Sequence, residues 1–159
     1  MGTSLRPRIL YPLFASLTSL PGVGQRTAGA LARLGWTRVV DGLWHLPTGV
    51  IDRRYSPTVA AAQAGVIATL TLTVRQHVAP LGRGRQPYRV RCSDETGHLD
   101  LVFFRARADT LEQLLPVGAV RIVSGVLERY GGGLQMVHPD FVVTPEARDR
   151  LPAIEPVYP

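Results

Sequence analysis

The stretch from residue 85 to residue 105, Arg-Gln-Pro-Tyr-Arg-Val-Arg-Cys-Ser-Asp-Glu-Thr-Gly-His-Leu-Asp-Leu-Val-Phe-Phe-Arg, decides the fold of this chain. Two runs of alternating apolar and polar residues flank a turn at Asp94-Glu-Thr-Gly97, which predicts a β-hairpin. Because side chains alternate across a strand, the parity of each residue predicts the face it occupies. The predicted core face of the first run holds Tyr88, Val90 and Cys92.

The outer faces of the two runs carry the groups of chemical interest. In the second run the predicted core face holds Leu99, Leu101 and Phe103, and the outer face holds Asp100, Val102 and Phe104. On the first run the outer residues are Arg89 and Arg91. Arginine pairs with phosphate and an exposed ring stacks on a base, so Arg89, Arg91 and Phe104 together predict a nucleic-acid surface.

The basic residues of this chain of 159 residues are all arginine, and no lysine occurs anywhere in it. The formal net charge is +6, which favours polyanionic partners and nucleic acid above all. A phosphate-binding loop of the G-x-x-x-x-G-K-[ST] type requires a lysine, so we expect no ATP hydrolysis by this chain alone. Schiff-base chemistry is excluded for the same reason.

No metal site, catalytic cluster or membrane segment is predicted. The four histidines lack the spacing of a metal site, and no nucleophile, base and acid form a recognisable set. Cys92 is the single cysteine, so no disulfide forms within the chain. No apolar run reaches membrane-spanning length, and residues 1–12 contain no signal-peptide core. We therefore expect a cytoplasmic protein without a membrane partner and without a cofactor in this chain.

Residues 1–50 predict a small helical subdomain similar to a helix-hairpin-helix. A turn at Leu20-Pro-Gly-Val-Gly24 precedes a helix over 25–34, and a second helix reaches Trp44 before Pro47. The turn residues Gly22 and Gly24, with Arg26 beside them, are candidates for phosphate binding through backbone N–H groups. The alternative is an αα unit that only packs on the neighbouring domain, its glycines serving the turn geometry.

The rest of the chain predicts an α+β, mainly β fold: a five-stranded OB-fold barrel behind a linker at 51–65. The linker contains Asp52-Arg-Arg54, either a local ion pair or a patch for the nucleic-acid backbone. Within 66–145, period-two alternation and turn signals predict strands over 66–75, the two hairpin runs, 119–129 and 134–143, with a helix over 107–115. Three strands, a helix and two strands is the OB-fold order.

An OB-fold binds oligonucleotides on its second and third strands and with the loops after its first and fourth strands. The outer face of the hairpin is the first of these surfaces. Arg83 and Arg85 lie in the first loop, and Arg129 borders the second. Arg105 and Arg107 follow the third strand and are further candidates for backbone contacts.

Five motifs occur in order along the chain: Leu20-Pro-Gly-Val-Gly24, His45-Leu-Pro47 followed by Asp52-Arg-Arg54, Leu101-Val-Phe-Phe104, Gln135-Met-Val-His-Pro139, and Pro156-Val-Tyr-Pro159. Together they resemble the N-terminal region of the RecG family of bacterial ATP-dependent DNA helicases, over nearly the whole chain. The resemblance implies an OB-fold wedge at a fork junction. It also implies that 146–159 begin a linker to motor domains that are absent here and that use ATP and Mg.

The resemblance further implies that the Phe-Phe pair, Phe103 and Phe104, supplies a ring that stacks on an unpaired base. Strand parity selects Phe104 as the exposed ring. Relatives often carry another aromatic residue in the following helix, whereas Ala108, Asp109 and Thr110 offer none. Arg105 and Arg107 are the candidates to substitute for it, through phosphate contacts or guanidinium stacking. His138, in the Gln-Met-Val-His-Pro motif, is interpreted as a hydrogen-bonded structural residue.

The implied partners are forked or branched DNA, including Holliday junctions, the motor domains in the same polypeptide, and single-strand binding protein. The implied process is fork reversal and branch migration in repair and recombination, at the bacterial nucleoid. The alternative is a generic OB-fold module for single-stranded nucleic acid or a protein partner, of which an anticodon-binding module is one version. A self-contained hydrolase is disfavoured because no catalytic cluster is present.

Overall fold

A computed structural model describes residues 7–80 and 86–158, so the predicted contact residues Arg83 and Arg85 lie outside the described part of the chain. The chain divides into two compact units. The first comprises residues 1–49 and 156–159, and the second comprises residues 50–155. Along the described chain, no helix has the length and apolar character that crossing a membrane requires.

The first unit is helical, as predicted. Two short 3-10 helices, Arg8–Phe14 and Leu17–Ser19, precede helices α1 (Gln25–Ala32) and α2 (Val39–Leu43). The predicted turn before α1 requires a glycine, because Gly22 has a φ of +82°, in the left-handed region. Helix α1 ends at Ala32, two residues before the predicted end at Leu34.

The second unit contains most of the strands of the molecule. The elements that follow α2 are β1 (Gly49–Asp52), β2 (Ile67–Val78), β3 (Tyr88–Ser93), β4 (His98–Phe103), α3 (Ala108–Leu114), β5 (Val120–Tyr130), β6 (Gly133–Val137), β7 (Phe141–Val143), a 3-10 segment (Pro145–Arg150) and β8 (Ile154–Val157). Strand β1 pairs with β8 in a separate two-stranded sheet.

The main sheet closes into a five-stranded barrel, which confirms the predicted OB-fold. The strand order is β2-β3-β4-β6-β5, and an additional antiparallel pairing of β2 with β5 closes the barrel. The predicted hairpin forms between β3 and β4, with Arg89 opposite Val102 and Arg91 opposite Asp100. Strand β6 runs parallel to β4, as the third and fifth strands of this fold require.

The predicted fifth strand over 134–143 is not continuous. It is divided into β6 and β7, which both pair with β5 but are separated at residues 138–140. The cause is His138, whose φ of +46° places its backbone in the left-handed region, where no strand continues. The side chain of this residue contacts Phe104, just after the end of β4.

The hairpin residues with predicted faces, from Tyr88 to Cys92 and from Leu99 to Phe104, follow the predicted alternation with one exception. Tyr88, Val90, Cys92 and the other predicted core residues of the hairpin are buried. Burial raises the pKa of Cys92 to about 12, so its thiol stays protonated and acts as a small apolar group. Val102, predicted on the outer face, is also buried. It lies on a strand that β3 flanks on one side and β6 on the other, where it pairs with Arg89 and Val137.

The segment 51–65, predicted as a linker, is attached to the barrel at defined points. The backbone N–H of Val59 donates to Asp94 Oδ2 at 2.7 Å, while the other oxygen of Asp94 accepts the N–H groups of Thr96 and Gly97 in the hairpin turn. Burial opposes the charge of Asp94, but these hydrogen bonds outweigh it and lower the pKa of the carboxyl. The segment 51–65 is therefore hydrogen-bonded to the hairpin and is not a free linker. The predicted domain boundaries stay a prediction.

Candidate nucleic-acid interface

The Phe-Phe pair lies at the end of β4, where its two rings differ in exposure. Phe103 is the last residue of the strand and 9% exposed, and it belongs to the barrel core. Phe104 follows it and is 49% exposed. This difference is the one that strand parity predicts. Of the two rings of this pair, that of Phe104 is the one available at the edge of the barrel.

The predicted outer arginines of β3 share a carboxylate. Arg89 Nη1 and Arg91 Nε each lie 3.4 Å from a different oxygen of Asp100, on the neighbouring strand. These pairs are partly exposed, so the interactions are weak, but the carboxylate lowers the local positive charge. The sequence placed Asp100 on this face without showing that it pairs with both arginines.

A second exposed ring lies against Arg89, and the sequence analysis did not identify it. Tyr130, at the end of β5, is 64% exposed, and the guanidinium carbon of Arg89 lies 5.2 Å from its ring centre. This distance is that of a cation–π contact, which holds the two side chains together. Alternation along β5 would have found it, because Tyr130 has the parity of Glu128 and not of the buried Leu127.

The same alternation separates Arg129 from this surface. Arg129 is exposed, but its parity on β5 is that of Leu127, so its side chain leaves the strand on the face opposite to Tyr130. The structure therefore places Arg89 against Tyr130 and joins it to Arg91 through Asp100, while backbone contact by Arg129, beside the following loop, stays a prediction.

A cleft opens beside the exposed ring of Phe104. Its volume is about 650 Å³, and it is lined by Pro80, Gln86, Tyr88, Phe103, Phe104, Arg105 and Ala106. The combination of apolar walls, one exposed ring and one arginine suits a planar base with a phosphate attached. Arg105 has a φ of +58°, a conformation that few residues other than glycine adopt.

Arg107, the other predicted substitute for a second aromatic ring, is exposed and pairs locally. Its Nη2 lies 2.8 Å from Asp109 Oδ2, and both side chains are largely in solvent. Such a pair is weak and exchanges readily for a phosphate contact. The roles of Arg105 and Arg107 stay predictions.

His138 contacts the candidate ring directly. Its Nε2 accepts a hydrogen bond from the backbone N–H of Phe104 at 3.1 Å, and its ring centre lies 5.8 Å from that of Phe104. The interpretation of His138 as a hydrogen-bonded residue is therefore confirmed. The sequence alone gave no indication of which group it would bond.

The predicted phosphate-binding turn lies in the first unit. Gly24 is the N-cap of α1, and no side chain caps the helix there. Arg26 and both glycines are exposed. Phosphate binding by Gly22, Gly24 and Arg26 stays a prediction.

The Asp-Arg-Arg motif resolves into two different structures. Arg54 forms the local ion pair with Asp52, at 2.6 Å. Arg53 is instead buried, with its side chain 2% exposed, and its guanidinium lies 2.8 Å from Asp140 and 3.0 Å from Glu155. It also lies 4.8 Å from the ring centre of Phe141. Burial opposes its charge, but the two carboxylates outweigh it and raise the pKa of Arg53. It is therefore not available to nucleic acid.

Metal ligation has no candidate within residues 7–80 and 86–158, where no three histidine, cysteine or carboxylate side chains come together. The chemistry that the interface offers is base stacking on Phe104 and Tyr130 and phosphate contact through arginine. Neither requires a metal or a covalent step.

Comparison with known proteins finds similarity to ATP-dependent DNA helicases. E. coli (strain K12) ATP-dependent DNA helicase RecG is 32% identical over 148 residues, which cover 90% of this chain and 21% of the helicase. RecG of Acidithiobacillus ferridurans is 30% identical over 148 residues, which cover 92% of this chain and 21% of that protein. The chain thus spans about one fifth of the length of the curated relatives it matches.

A solved structure of RecG bound to a three-way DNA junction matches with a TM-score of 0.65 and 19% identity. It covers 100% of this chain and 21% of that chain, and at this identity the likeness shows the fold. The resemblance to the N-terminal wedge region of RecG is confirmed by these matches. A family model described as OB-fold nucleic acid binding domain matches residues 64–144, and the chain belongs to that family.

Proposed function

We propose that this chain is the DNA-binding wedge of a RecG-type helicase and binds branched DNA at the point where the strands separate. The observation that carries the proposal is the half-exposed ring of Phe104, at the end of a barrel strand beside an open cleft. The similarity to RecG over 90% of the chain supports it.

The physical basis is the exposed base pair at a junction. In a continuous duplex each base stacks on both neighbours, whereas a base at a branch point has a free face. A rigid aromatic ring that covers this face contributes on the order of 1–3 kcal/mol of binding free energy. The arginines contact phosphates of the flanking strands, which positions the duplex without reading its sequence.

In the complete protein, the wedge would act together with a motor. Motor domains in the same polypeptide would use ATP and Mg to move duplex DNA against the wedge, which would split the strands. The process would be fork reversal and branch migration at the nucleoid, with single-strand binding protein as an additional partner. This chain would contribute binding and geometry, and hydrolysis would belong to the motor.

A generic single-strand binder is the second candidate function, and the OB-fold family match favours it. The two candidates differ in the DNA that they prefer. We expect the chain to bind a forked duplex more tightly than a single strand or a linear duplex with the same number of nucleotides. Fluorescence anisotropy with the three DNAs at equal salt measures this order. Equal or tighter binding of the single strand would favour the generic module.

Fork binding should weaken steeply as salt rises. If about four arginines replace counterions on the phosphates, a plot of log K against log salt concentration should have a slope of roughly −3 to −4. The measurement is a titration of the labelled fork at several chloride concentrations. An affinity that does not change with salt would contradict phosphate contact by the arginines.

Tyr130 should contribute to fork binding as a second ring. We expect Tyr130→Ala to lose about 1–3 kcal/mol of binding free energy, because base stacking and the anchor for Arg89 disappear together. Tyr130→Phe should bind as the parent does, since the ring is kept. Tyr11→Ala, at an exposed tyrosine of the first unit, is the control. Equal affinity of Tyr130→Ala and the parent would remove Tyr130 from the interface.

A further inference from the structure

His138 interrupts a barrel strand at a position where its side chain reaches the exposed ring. Its φ of +46° ends β6, and its own backbone N–H donates to the carbonyl of Val102 at 2.9 Å. A non-glycine residue in the left-handed region costs free energy and persists where surrounding contacts require it. Here those contacts are with the end of β4.

The side chain of His138 makes three contacts with the Phe-Phe pair. Nε2 accepts the backbone N–H of Phe104, which a ring nitrogen does through its lone pair. The ring lies 5.8 Å from that of Phe104 with a tilt of 39°, and 6.1 Å from that of Phe103, nearly perpendicular. One imidazole therefore contacts both the buried ring and the exposed ring.

Phe104 has little other support from the sheet. It follows Phe103, the last residue of β4, and the next residue, Arg105, turns the chain with a φ of +58°. Its N–H is bonded to a side chain and not to a neighbouring strand. A residue just beyond a strand end samples several orientations unless it is held, and an exposed ring that moves stacks on a base with a larger entropy cost.

We propose that His138 is a positioning residue that fixes Phe104 in the orientation that stacks on an unpaired nucleobase. This inference rests on the proposed function, since it assigns to Phe104 the role of the stacking ring. His138 does not touch the DNA. Its imidazole fixes the backbone of Phe104 through Nε2 and contacts the ring of Phe104.

A double-mutant cycle on the whole 159-residue chain separates positioning from general stability. The variants are His138→Asn, Phe104→Ala and their combination. Asparagine tolerates the left-handed conformation, so the backbone is kept while the acceptor is withdrawn from Phe104. His138→Gln is an additional variant of the same position. The side-chain oxygen of glutamine reaches farther than that of asparagine, so it can restore part of the contact with Phe104. His98→Asn, at the exposed start of β4, is the matched control.

Fork affinity should fall by about 5- to 150-fold in Phe104→Ala, the range for losing one stacked base. His138→Asn should lower it by about 2- to 10-fold, the range for one hydrogen bond, and His138→Gln by less. In the Phe104→Ala background, His138→Asn should cause no further loss, because no ring remains to be positioned. His98→Asn should bind as the parent does.

A spectroscopic readout accompanies the affinities. A 2-aminopurine placed at the branch point fluoresces more strongly when it leaves its neighbouring bases, and His138→Asn should reduce this increase at saturating protein. Independent losses in the double variant, or an unchanged fluorescence increase, would overturn the positioning role. If Phe104→Ala itself binds the fork normally, the proposed function fails. If Phe104→Ala binds weakly and both His138 variants bind normally, only the positioning role fails.

Discussion

Replacing Phe103 by alanine should lower the free energy of unfolding by about 3–5 kcal/mol, because the ring is 9% exposed and packs in the barrel core. For a unit of the size of residues 50–155, a loss of 1 kcal/mol lowers Tm by roughly 4–8 °C. The Tm of Phe103→Ala should therefore fall by about 12 °C or more. Phe104→Ala should melt close to the parent, since half of that ring is in solvent. Fork binding should show the opposite order once both variants are measured below their melting temperatures.

Thermal melting and fork binding of the two variants check this expectation together. The pair is well matched, because the residues are identical and adjacent and only their faces differ. If Phe104→Ala melts early while Phe103→Ala keeps its Tm and loses fork binding, the two rings have exchanged roles. Such a result would require a β-bulge in this strand, since one extra residue reverses the faces that follow it.

The second large effect concerns Arg53 and its two carboxylates. Asp140 and Glu155 are 47% and 41% exposed, whereas the Arg53 side chain is 2% exposed. Removing both carboxylates by Asp140→Ala and Glu155→Ala leaves a buried, unpaired guanidinium and should cost about 3–5 kcal/mol of unfolding free energy. Arg53→Met should cost less, because it leaves carboxylates that face water.

Urea unfolding of the three proteins measures this asymmetry. The control is Asp52→Ala, which breaks the exposed pair with Arg54 and should cost less than about 1 kcal/mol. A larger loss in Arg53→Met than in the double carboxylate variant would contradict the asymmetry. It would show that the packing of Arg53 against Phe141 stabilises this region more than its ion pairs do.

The barrel and the exposure of Phe104 were predictable because both depend on local alternation. Each hairpin run has a clear period of two, and the Asp94–Gly97 turn fixes the pairing of the runs. Once the register is set, the faces of Phe103 and Phe104 follow from parity. The strand order follows because the spacing of turns and the intervening helix match one known arrangement.

The remaining features depend on contacts between distant parts of the chain. Arg53 pairs with residues 87 and 102 positions away, and no local pattern distinguishes it from the exposed Arg54 beside it. The contact between Arg89 and Tyr130 depends on how the barrel curves and not on alternation within one strand. The break at His138 was hidden because residues 134–143 alternate well enough for one continuous strand.

Stacking by Phe104 at the branch point is tested by the preference of the chain for a fork over a linear duplex, measured for the parent and for Phe104→Ala. The two DNAs contain the same nucleotides, so phosphate contacts through arginine contribute nearly equally to both affinities. We expect the parent to bind the fork more tightly than the duplex and Phe104→Ala to show a much smaller fork preference, with little change in Tm or in duplex affinity. A fork preference that is unchanged in Phe104→Ala would show that this ring does not stack at the branch point.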